Sequence, residues 1–459
     1  MHGKFLPIIV GLLAIVALAM VTTNGGAAAL AVTMAVSLVV VLILRRFADD
    51  KNFITTVFLI GLLARLAFGL LVHVLDLRDF FGGDANTYDY FGNALMSEWS
   101  NSGAVVDSLT QLQLSNSPSG WGMNYFAAAI YMVVGRNILA AQSVCGVFGA
   151  AIAPVTYFCA NKIFANKGVA ESSALLAALF PAFIVWSGQL LKDGLIVFLL
   201  VLAMTMILSL QEKFSVTGLL VLLATIAAVL PLRFYIFYAL IAAFAASFVV
   251  GFSTSATALI RNMIIMVLIG TGLTYIGVVR TASSNFDQFG NLEVLQISRK
   301  DLSSSAESGF GGDIDVSTPA GALSALPVGL LYLMLAPFPW NISSFRAAIT
   351  EPEILVWWAM IPLMITGIGW SLRNRLVKAV PILMFTFLLS VAYAIFQGNV
   401  GTAYRQRTQI QIFLFMFFAV GWTLRKEKKE NARILDAARS RERVEQRARQ
   451  LANARDLPA

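Results

Sequence analysis

Long apolar runs separated by short polar breaks cover most of this chain of 459 residues. A membrane-crossing helix needs roughly 20 predominantly apolar residues, so the runs predict an all-α, polytopic membrane protein with about 12–14 transmembrane or re-entrant helices. The candidate spans are Phe5–Val21, Ala27–Leu44, Phe53–Leu75, Met123–Val134, Ile138–Ala160, Val169–Trp186, Gly194–Leu210, Val216–Leu230, Phe234–Val250, Asn262–Val279, Ala322–Leu335, Ile354–Trp370, Ala379–Phe396 and Ile410–Leu424. Several are short, and Met123–Val134 is the one best suited to a re-entrant or interfacial position.

The polar segments between these runs predict the domain organisation. Residues 1–424 form a transmembrane domain with two long polar loops, 76–121 and 280–321, and residues 425–459 form a helical tail. Loop 76–121 has one basic and six acidic residues, which predicts an extracytoplasmic position. Loop 280–321 is acidic and rich in serine and glycine, which favours the same side. Strict alternation of every span places it on the opposite side, and both placements are kept open.

Positive charge is concentrated where the cytoplasmic side is expected. Of the net charge of +8, the tail carries +5, from eleven Lys/Arg against six Asp/Glu. Further basic residues follow the second span or separate two late spans: Arg45, Arg46, Lys51, Arg373, Arg375 and Lys378. The tail is therefore predicted to be cytoplasmic, and the basic balance indicates contact with membrane lipid and no nucleic-acid partner.

Composition excludes several other classes of protein. The chain is 58% apolar and 13% charged, with a mean hydropathy of +0.77, whereas a soluble domain has about 45–50% apolar and about 25% charged residues. Two cysteines exclude a disulfide framework, and two histidines, His2 and His73, exclude a histidine-rich zinc or di-iron centre. The sequence also lacks a P-loop, HExxH and CxxC, and no serine has a histidine to activate it.

The polar segment after the third apolar run, residues 77–91 (LRDFFGGDANTYDYF), carries candidate chemistry. Two glycines release the chain from the preceding helix and Asp84 opens a new one, so that Asp84 and Tyr88 share a face with Asp79 and Asp89 nearby. A carboxylate at the mouth of the membrane can deprotonate an acceptor hydroxyl or hold a divalent cation beside a phosphate. The alternative is that Asp84 only caps the helix.

Several basic residues lie at or within apolar runs, where a charge is costly unless it is paired or binds a ligand. They are Arg65, Lys192, Arg233, Arg405 and Arg407. The planar guanidinium group of arginine donates two parallel hydrogen bonds to a phosphate. Each cation alone is also explained by snorkelling to the interface or, for Lys192, by a loop between two helices. Together, beside an acidic loop, the last four predict a lipid-phosphate site.

Residues 83–94 (GDANTYDYFGNA) resemble the integral-membrane glycosyltransferases of the GT-C superfamily, which includes dolichyl-phosphate-mannose-protein mannosyltransferase-like (family 39-like) enzymes and aminoarabinose transferases. With residues 135–137 and 191–194, the resemblance covers roughly residues 53–260. Later segments that include Pro337-Phe338-Pro339-Trp340 and Arg405-Gln406-Arg407 are similar to membrane proteins of bacterial polysaccharide gene clusters.

The resemblance implies roles for particular residues. In the family, an acidic residue of the first extracytoplasmic loop is the base or the metal-linked catalytic residue, which here is Asp84, supported by Asp79, Tyr88 and Asp89. Basic residues at the outer membrane boundary hold the phosphate of the donor, and the candidates are Lys192, Arg233, Arg405 and Arg407. The chain departs from the family in having two apolar runs before the catalytic-loop span and a lone Asp84 in place of an acidic pair.

The expected function is that of a glycosyltransferase in the bacterial inner membrane, active on the extracytoplasmic side in cell-surface or exopolysaccharide biosynthesis. The donor is a polyprenyl-phosphate-linked sugar and the acceptor is a glycan, a lipid or a protein. No cofactor is assigned, and a divalent cation is kept as an open alternative. The nearest alternative function is a polysaccharide polymerase or O-antigen ligase-like enzyme, in which loop 280–321 matters more than Asp84. A lipid-linked oligosaccharide flippase is less favoured, because no internal repeat is visible and most charges lie at membrane boundaries.

Overall fold

A computed structural model of the chain describes residues 6–100, 110, 120–250, 256–304, 308–342 and 344–455. The described residues are 86% helical, with 18 helices and no strand, which confirms the all-α prediction. The middle of the predicted loop 76–121 and the last four residues of the predicted tail lie outside the described residues.

Eighteen helices follow one another along the described residues. The first nine described helices are α1 Leu6–Val21, α2 Gly26–Arg46, α3 Lys51–Val74, α4 Asp84–Trp99, α5 Trp121–Val134, α6 Ile138–Phe164, α7 Lys167–Leu179, α8 Pro181–Ser187 and α9 Lys192–Glu212. The next nine are α10 Val216–Leu232, α11 Phe234–Val250, α12 Ala256–Tyr275, α13 Val278–Phe289, α14 Leu292–Ser304, α15 Pro319–Leu335, α16 Phe345–Asn374, α17 Leu376–Phe396 and α18 Val400–Arg455.

Among the described residues, six helices are long and apolar enough to cross a membrane: α2, α3, α6, α9, α16 and α17. Two bent pairs, α7 with α8 and α12 with α13, raise the number to eight if each pair is one span. Five further apolar helices have 10–17 residues, and at 1.5 Å per residue they are shorter than the hydrocarbon core of about 30 Å. These helices are compatible with a multi-pass membrane protein. The predicted 12–14 helices included such short segments.

The core is built around α6, which is buried along nearly its whole length and packs against α2, α3, α7 and α9. Its sequence is rich in alanine and glycine, which lets helices in a membrane approach closely and pack through van der Waals contact. Cys145 and Cys159 are buried free cysteines of this helix. Both pack as small apolar residues of the core.

A break between α7 and α8 is a further feature of the fold. Pro181 is the first residue of α8, and the two helices are bent by 53°. Proline lacks the N–H that would continue the helical hydrogen bonds of α7. The bend directs the end of α8, with Trp186 and Ser187, toward the start of α9.

The predicted loop 280–321 is more ordered than its polar composition suggested. Helices α13 and α14 occupy its first half, because a few apolar residues such as Val278 and Ala282 are buried on one side of α13. Further on, Gly309 pairs with Asn399 in an isolated β-bridge. Its hydrogen bonds run from Phe310 N to Gly398 O (2.8 Å) and from Val400 N to Ser308 O (3.1 Å). The bridge attaches this segment to the start of α18.

Candidate active site

Arg405 of α18 binds two carboxylates that come from different parts of the chain. Its Nη1 atom lies 2.7 Å from Asp84 Oδ2 on α4, and its Nε atom lies 2.5 Å from Asp193 Oδ2 on α9. The Asp193 side chain is 1% exposed, whereas that of Asp84 is 42% exposed. One carboxylate is therefore a buried partner of the arginine, and the other lies on the accessible side of the cluster.

Local conformation explains the position of Asp84. Gly82 and Gly83 adopt positive φ angles of 116° and 71°, a region that other residues avoid, and they end a short 3₁₀ turn before α4 begins. Gly83 occupies the N-cap position of α4, and Asp84 is the first residue of the helix itself. The carboxylate is bound to Arg405 instead, so helix capping does not account for Asp84.

Arg233 completes the charged core of the site. It follows the last residue of α10, and its Nη2 atom lies 3.2 Å from Asp193 Oδ1. Asp193 lies in the first turn of α9, where the positive end of the helix dipole stabilises a carboxylate. Two arginines thus share one buried aspartate, while Arg405 also binds Asp84.

Lys192 and Tyr88 border this core on the side of Gly120. A Cβ atom built on Gly120 would lie 2.9 Å from Lys192 Nζ and 3.3 Å from Tyr88 Oη. Gly120 has a φ of +87°, and its N–H donates to Pro231 O (3.1 Å), two residues before Arg233. The ammonium group, the phenol and the charged core are therefore neighbours around one glycine.

The cluster has more buried donors than acceptors. Arg405 stacks over the ring of Trp186, with its Cζ atom 5.4 Å from the ring centroid. Three buried donors, Arg405 Nη2, Arg233 Nη1 and Trp186 Nε1, have no hydrogen-bond partner among the described residues, against one such acceptor in the cluster, Asp193 Oδ1, which lies 3.2 Å from Arg233 Nη2. Lys192, Arg233 and Arg405 give three positive charges against two carboxylates. Buried donors normally have a partner, so the surplus of donors and charge suits an anion.

Arg407, two residues beyond Arg405, lies apart from this cluster. It is 1% exposed, and its guanidinium group donates to the carbonyl oxygens of Leu333 (2.7 Å) and Ala336. These are carbonyls at the end of α15, which lack helical donors. Arg407 therefore holds the end of a helix, and the structure does not bring it together with the other predicted phosphate ligands.

Asp79 and Asp89 also face away from Arg405. Asp79 accepts a hydrogen bond from Asn86 (2.9 Å). Asp89 accepts one from Tyr131 Oη (2.7 Å) and pairs with Arg136 Nη2 (2.6 Å), which joins α4 to α5 and the turn after it. The hydrogen bond that Arg136 donates to Asp89 raises the pKa of Arg136. Of the predicted supporting residues, Tyr88 alone reaches the cluster.

Sequence reasoning missed three contributors to the site. In the sequence, Asp193 is only the neighbour of Lys192, and Trp186 only ends an apolar run. Glu353, buried in α16, accepts a hydrogen bond from Tyr404 Oη (2.8 Å), directly beside Arg405. An acidic residue that borders an apolar run is costly without a partner, and this was the available signal for both Asp193 and Glu353.

The described residues contain no group of three or more His, Cys, Asp or Glu side chains placed to hold a metal ion. The two carboxylates of the cluster are both bound to arginine, so these residues do not form a metal-ligand set of their own. No protein-family model matches the chain, and no curated protein matches it in sequence. The function must therefore be inferred from the geometry of the cluster.

Proposed function

We propose that this protein is a membrane glycosyltransferase that moves a sugar from a polyprenyl-phosphate-linked donor to a glycan, lipid or protein acceptor. The observation that carries the proposal is the set of unpartnered buried donors on Arg405, Arg233 and Trp186 beside an accessible carboxylate, Asp84. Arginine forks bind phosphate oxygens well, and a carboxylate next to them can serve as a base. The cluster offers both functions within one site.

The donor's phosphate binds to Arg405 and Arg233, with Lys192 at the border of the site. Asp193 keeps the two guanidinium groups in place, because it contacts both of them and is itself buried. The polyprenyl tail stays in the surrounding lipid. The three cations also stabilise the negative charge that collects on the phosphate as it leaves.

Asp84 is the general base of the reaction. Its carboxylate takes the proton of the acceptor hydroxyl while the acceptor oxygen forms a bond to the anomeric carbon. The bond between that carbon and the phosphate oxygen breaks, and its electron pair leaves with the phosphate. This single displacement inverts the anomeric centre and needs no nucleophilic side chain. The proton ends on Asp84.

Arg405 couples donor binding to the base. In the structure Asp84 occupies one nitrogen of Arg405, 2.7 Å away, and its side chain is partly exposed. A phosphate that binds Arg405 competes with Asp84 for this group. Donor binding therefore releases the carboxylate toward the acceptor, and Asp193 retains its bond to Arg405.

The proposal includes the finer features of the sequence interpretation. The protein belongs to the bacterial inner membrane, with a GT-C-like architecture, an extracytoplasmic site and a cytoplasmic tail, in cell-surface or exopolysaccharide biosynthesis. The continuation of α18 from Arg405 through the basic tail supports this orientation, since one helix of 56 residues carries both. It is long enough to join opposite faces of a bilayer.

A polysaccharide polymerase or ligase-like enzyme is the second candidate. The β-bridge between Gly309 and Asn399 favours this candidate, because the bridge attaches the segment after α14 to the start of the helix that carries Arg405. Such an enzyme would extend a chain on this surface. Product length separates the two candidates, since a transferase adds one sugar and a polymerase yields a distribution of lengths.

Donor dependence tests the proposed function directly. The full chain is reconstituted in bilayers with an acceptor fraction from the native envelope and supplied with radiolabelled sugar, either on polyprenyl phosphate or on a nucleotide. We expect incorporation of one sugar per acceptor from the polyprenyl-phosphate donor only. Incorporation only from the nucleotide donor, or from neither donor, contradicts the proposal.

A further inference from the structure

Arg65 is a fully buried arginine in the span α3, and its partners are all uncharged. It donates to Ser187 Oγ (2.7 Å) and to the carbonyl oxygens of Gly61 (2.9 Å), Ala178 (3.0 Å) and Ala177 (3.2 Å). It is 0% exposed. A charge in the interior of a span is costly and usually functional, and the cluster around Arg405 leaves Arg65 without a role.

The helix break explains two of these bonds. Pro181 has no N–H, so the carbonyl of Ala177, four residues earlier, loses its helical donor. Arg65 donates to that carbonyl and to the next one, of Ala178. The guanidinium group therefore satisfies the end of α7 from a neighbouring helix, and it stabilises the bent form of the α7–α8 pair.

Ser187, the last residue of α8, is confined from both sides. It accepts the bond from Arg65 and donates one to the carbonyl of Phe183. A Cβ atom on Gly149 would lie 2.4 Å from Ser187 Oγ, and one on Gly194 would lie 2.4 Å from Ser187 Cβ. Glycine at both positions leaves just enough space for the serine. Ser187 is thus closely packed between α6 and α9.

Ser187 is connected to the charged cluster through Trp186 on one side and through the start of α9 on the other. Trp186, whose ring lies under Arg405, directly precedes Ser187, and Asp193 directly precedes Gly194. A shift of Ser187 would therefore move the ring that supports Arg405 and the start of α9 that carries Asp193. Sub-ångström placement of such groups controls binding and catalysis.

We propose that Arg65 and Ser187 are positioning residues, which hold the α7–α8 break so that Trp186 and Asp193 keep Arg405 in its phosphate-binding position. They touch neither donor nor acceptor. The identity of the ligand, polyprenyl phosphate, rests on the proposed function. The placement of Trp186 does not depend on that function.

Ser187→Ala is the sharpest test, because it removes only the hydroxyl and leaves the packing between the glycines possible. Ser173→Ala is the matched control: Ser173 is a buried serine of α7 that bonds only to the carbonyl of Val169 among its described contacts. Affinity for polyprenyl phosphate is measured on the folded full chain in lipid nanodiscs. We expect Ser187→Ala to weaken it about tenfold, because Arg65 loses a buried acceptor, with a raised KM for the donor and little change in kcat. Ser173→Ala should match the wild type.

A second readout needs no ligand. The fluorescence of Trp186 is obtained by subtracting, for each variant, the spectrum of the same protein that also carries Trp186→Phe. We expect the emission maximum of Trp186 to shift in Ser187→Ala and not in Ser173→Ala. If the wild type does not bind polyprenyl phosphate, the proposed function fails, and the emission alone decides the positioning role. If the wild type binds polyprenyl phosphate and Ser187→Ala binds it equally well, the positioning role is wrong. If the wild type does not bind polyprenyl phosphate, an unchanged Trp186 emission in Ser187→Ala shows that the positioning role is wrong.

Discussion

Arg405 Nη1 and Asp84 Oδ2 lie 2.7 Å apart, although 321 residues separate them along the chain. The bond joins the start of α4 to the start of α18. Because Arg405 also binds Asp193 on α9, three helices that begin in different parts of the sequence meet at one guanidinium group. The proposed phosphate site is built around this guanidinium group.

Replacing Arg405 by lysine tests its double role. A lysine ammonium is a point charge that cannot reproduce the fork between Asp84 and Asp193. We expect Arg405→Lys to lower the affinity for polyprenyl phosphate by about 10–100-fold, corresponding to about 1.4–2.8 kcal/mol, as measured by ligand titration of the folded protein. Arg346→Lys, at an exposed arginine of α16 that packs over Phe80, is the control and should bind normally. Equal binding by both variants contradicts the assignment.

Arg407 is expected to stabilise the fold, whereas Arg405 is expected to bind the phosphate. It bonds to the carbonyls of Leu333 and Ala336 at the end of α15. Arg407→Lys should therefore lower the free energy of unfolding by about 2–4 kcal/mol through lost buried hydrogen bonds. Thermal unfolding measures this loss. The affinity of the folded fraction for polyprenyl phosphate should stay within about twofold of the wild type, a change smaller than the loss of one hydrogen bond would cause. A loss of affinity without a loss of stability would return Arg407 to the phosphate site.

Asp89 is predicted to be structural. Its carboxylate accepts a bond from Tyr131 and pairs with Arg136, whose side chain is 52% exposed. Because solvent screens the Arg136 pair, we expect Asp89→Asn to cost only about 1–2 kcal/mol of stability. Sugar transfer at saturating donor should be unchanged. Abolished transfer in a folded Asp89→Asn protein would instead place this residue in the reaction.

Tyr88 is expected to act as a hydrogen-bond donor and not as a base. Burial, followed by the nearby Asp84 carboxylate, raises the pKa of Tyr88 above its ordinary value, so the hydroxyl stays protonated at neutral pH. Tyr88→Phe should lower kcat/KM by up to about tenfold, the worth of one hydrogen bond. It should leave the shape of the pH–rate profile unchanged. A profile that loses its alkaline limb in Tyr88→Phe would show that Tyr88 titrates during catalysis.

Local signals in the sequence were sufficient to find Asp84. Two consecutive glycines end one element, and the polar run after them begins the next, so the carboxylate could be placed at the start of a helix without knowing the fold. The apolar runs likewise predicted an all-helical protein. Where a run is long, as in α6, the predicted span Ile138–Ala160 lies within the helix Ile138–Phe164.

The partners of these residues could not be predicted, because they are set by packing between distant helices. Asp193 acquires its role only when α9, α10 and α18 assemble around it. By contrast, the sequence spacing of Arg405 and Arg407 was enough to predict that their side chains point in different directions. Two residues along a helix differ by about 200° in direction, so both side chains could not face the same phosphate once the segment was helical.

The base assigned to Asp84 is tested most directly by single-turnover transfer from a polyprenyl-phosphate-linked sugar in the Asp84→Asn protein. Glu98→Gln, at an exposed carboxylate of the same helix, is the matched control. We predict that Asp84→Asn still binds the donor, because the phosphate no longer competes with a carboxylate for Arg405, and that transfer falls by at least about 100-fold, as expected for a lost general base. Glu98→Gln should transfer normally. Wild-type transfer by Asp84→Asn would contradict the account.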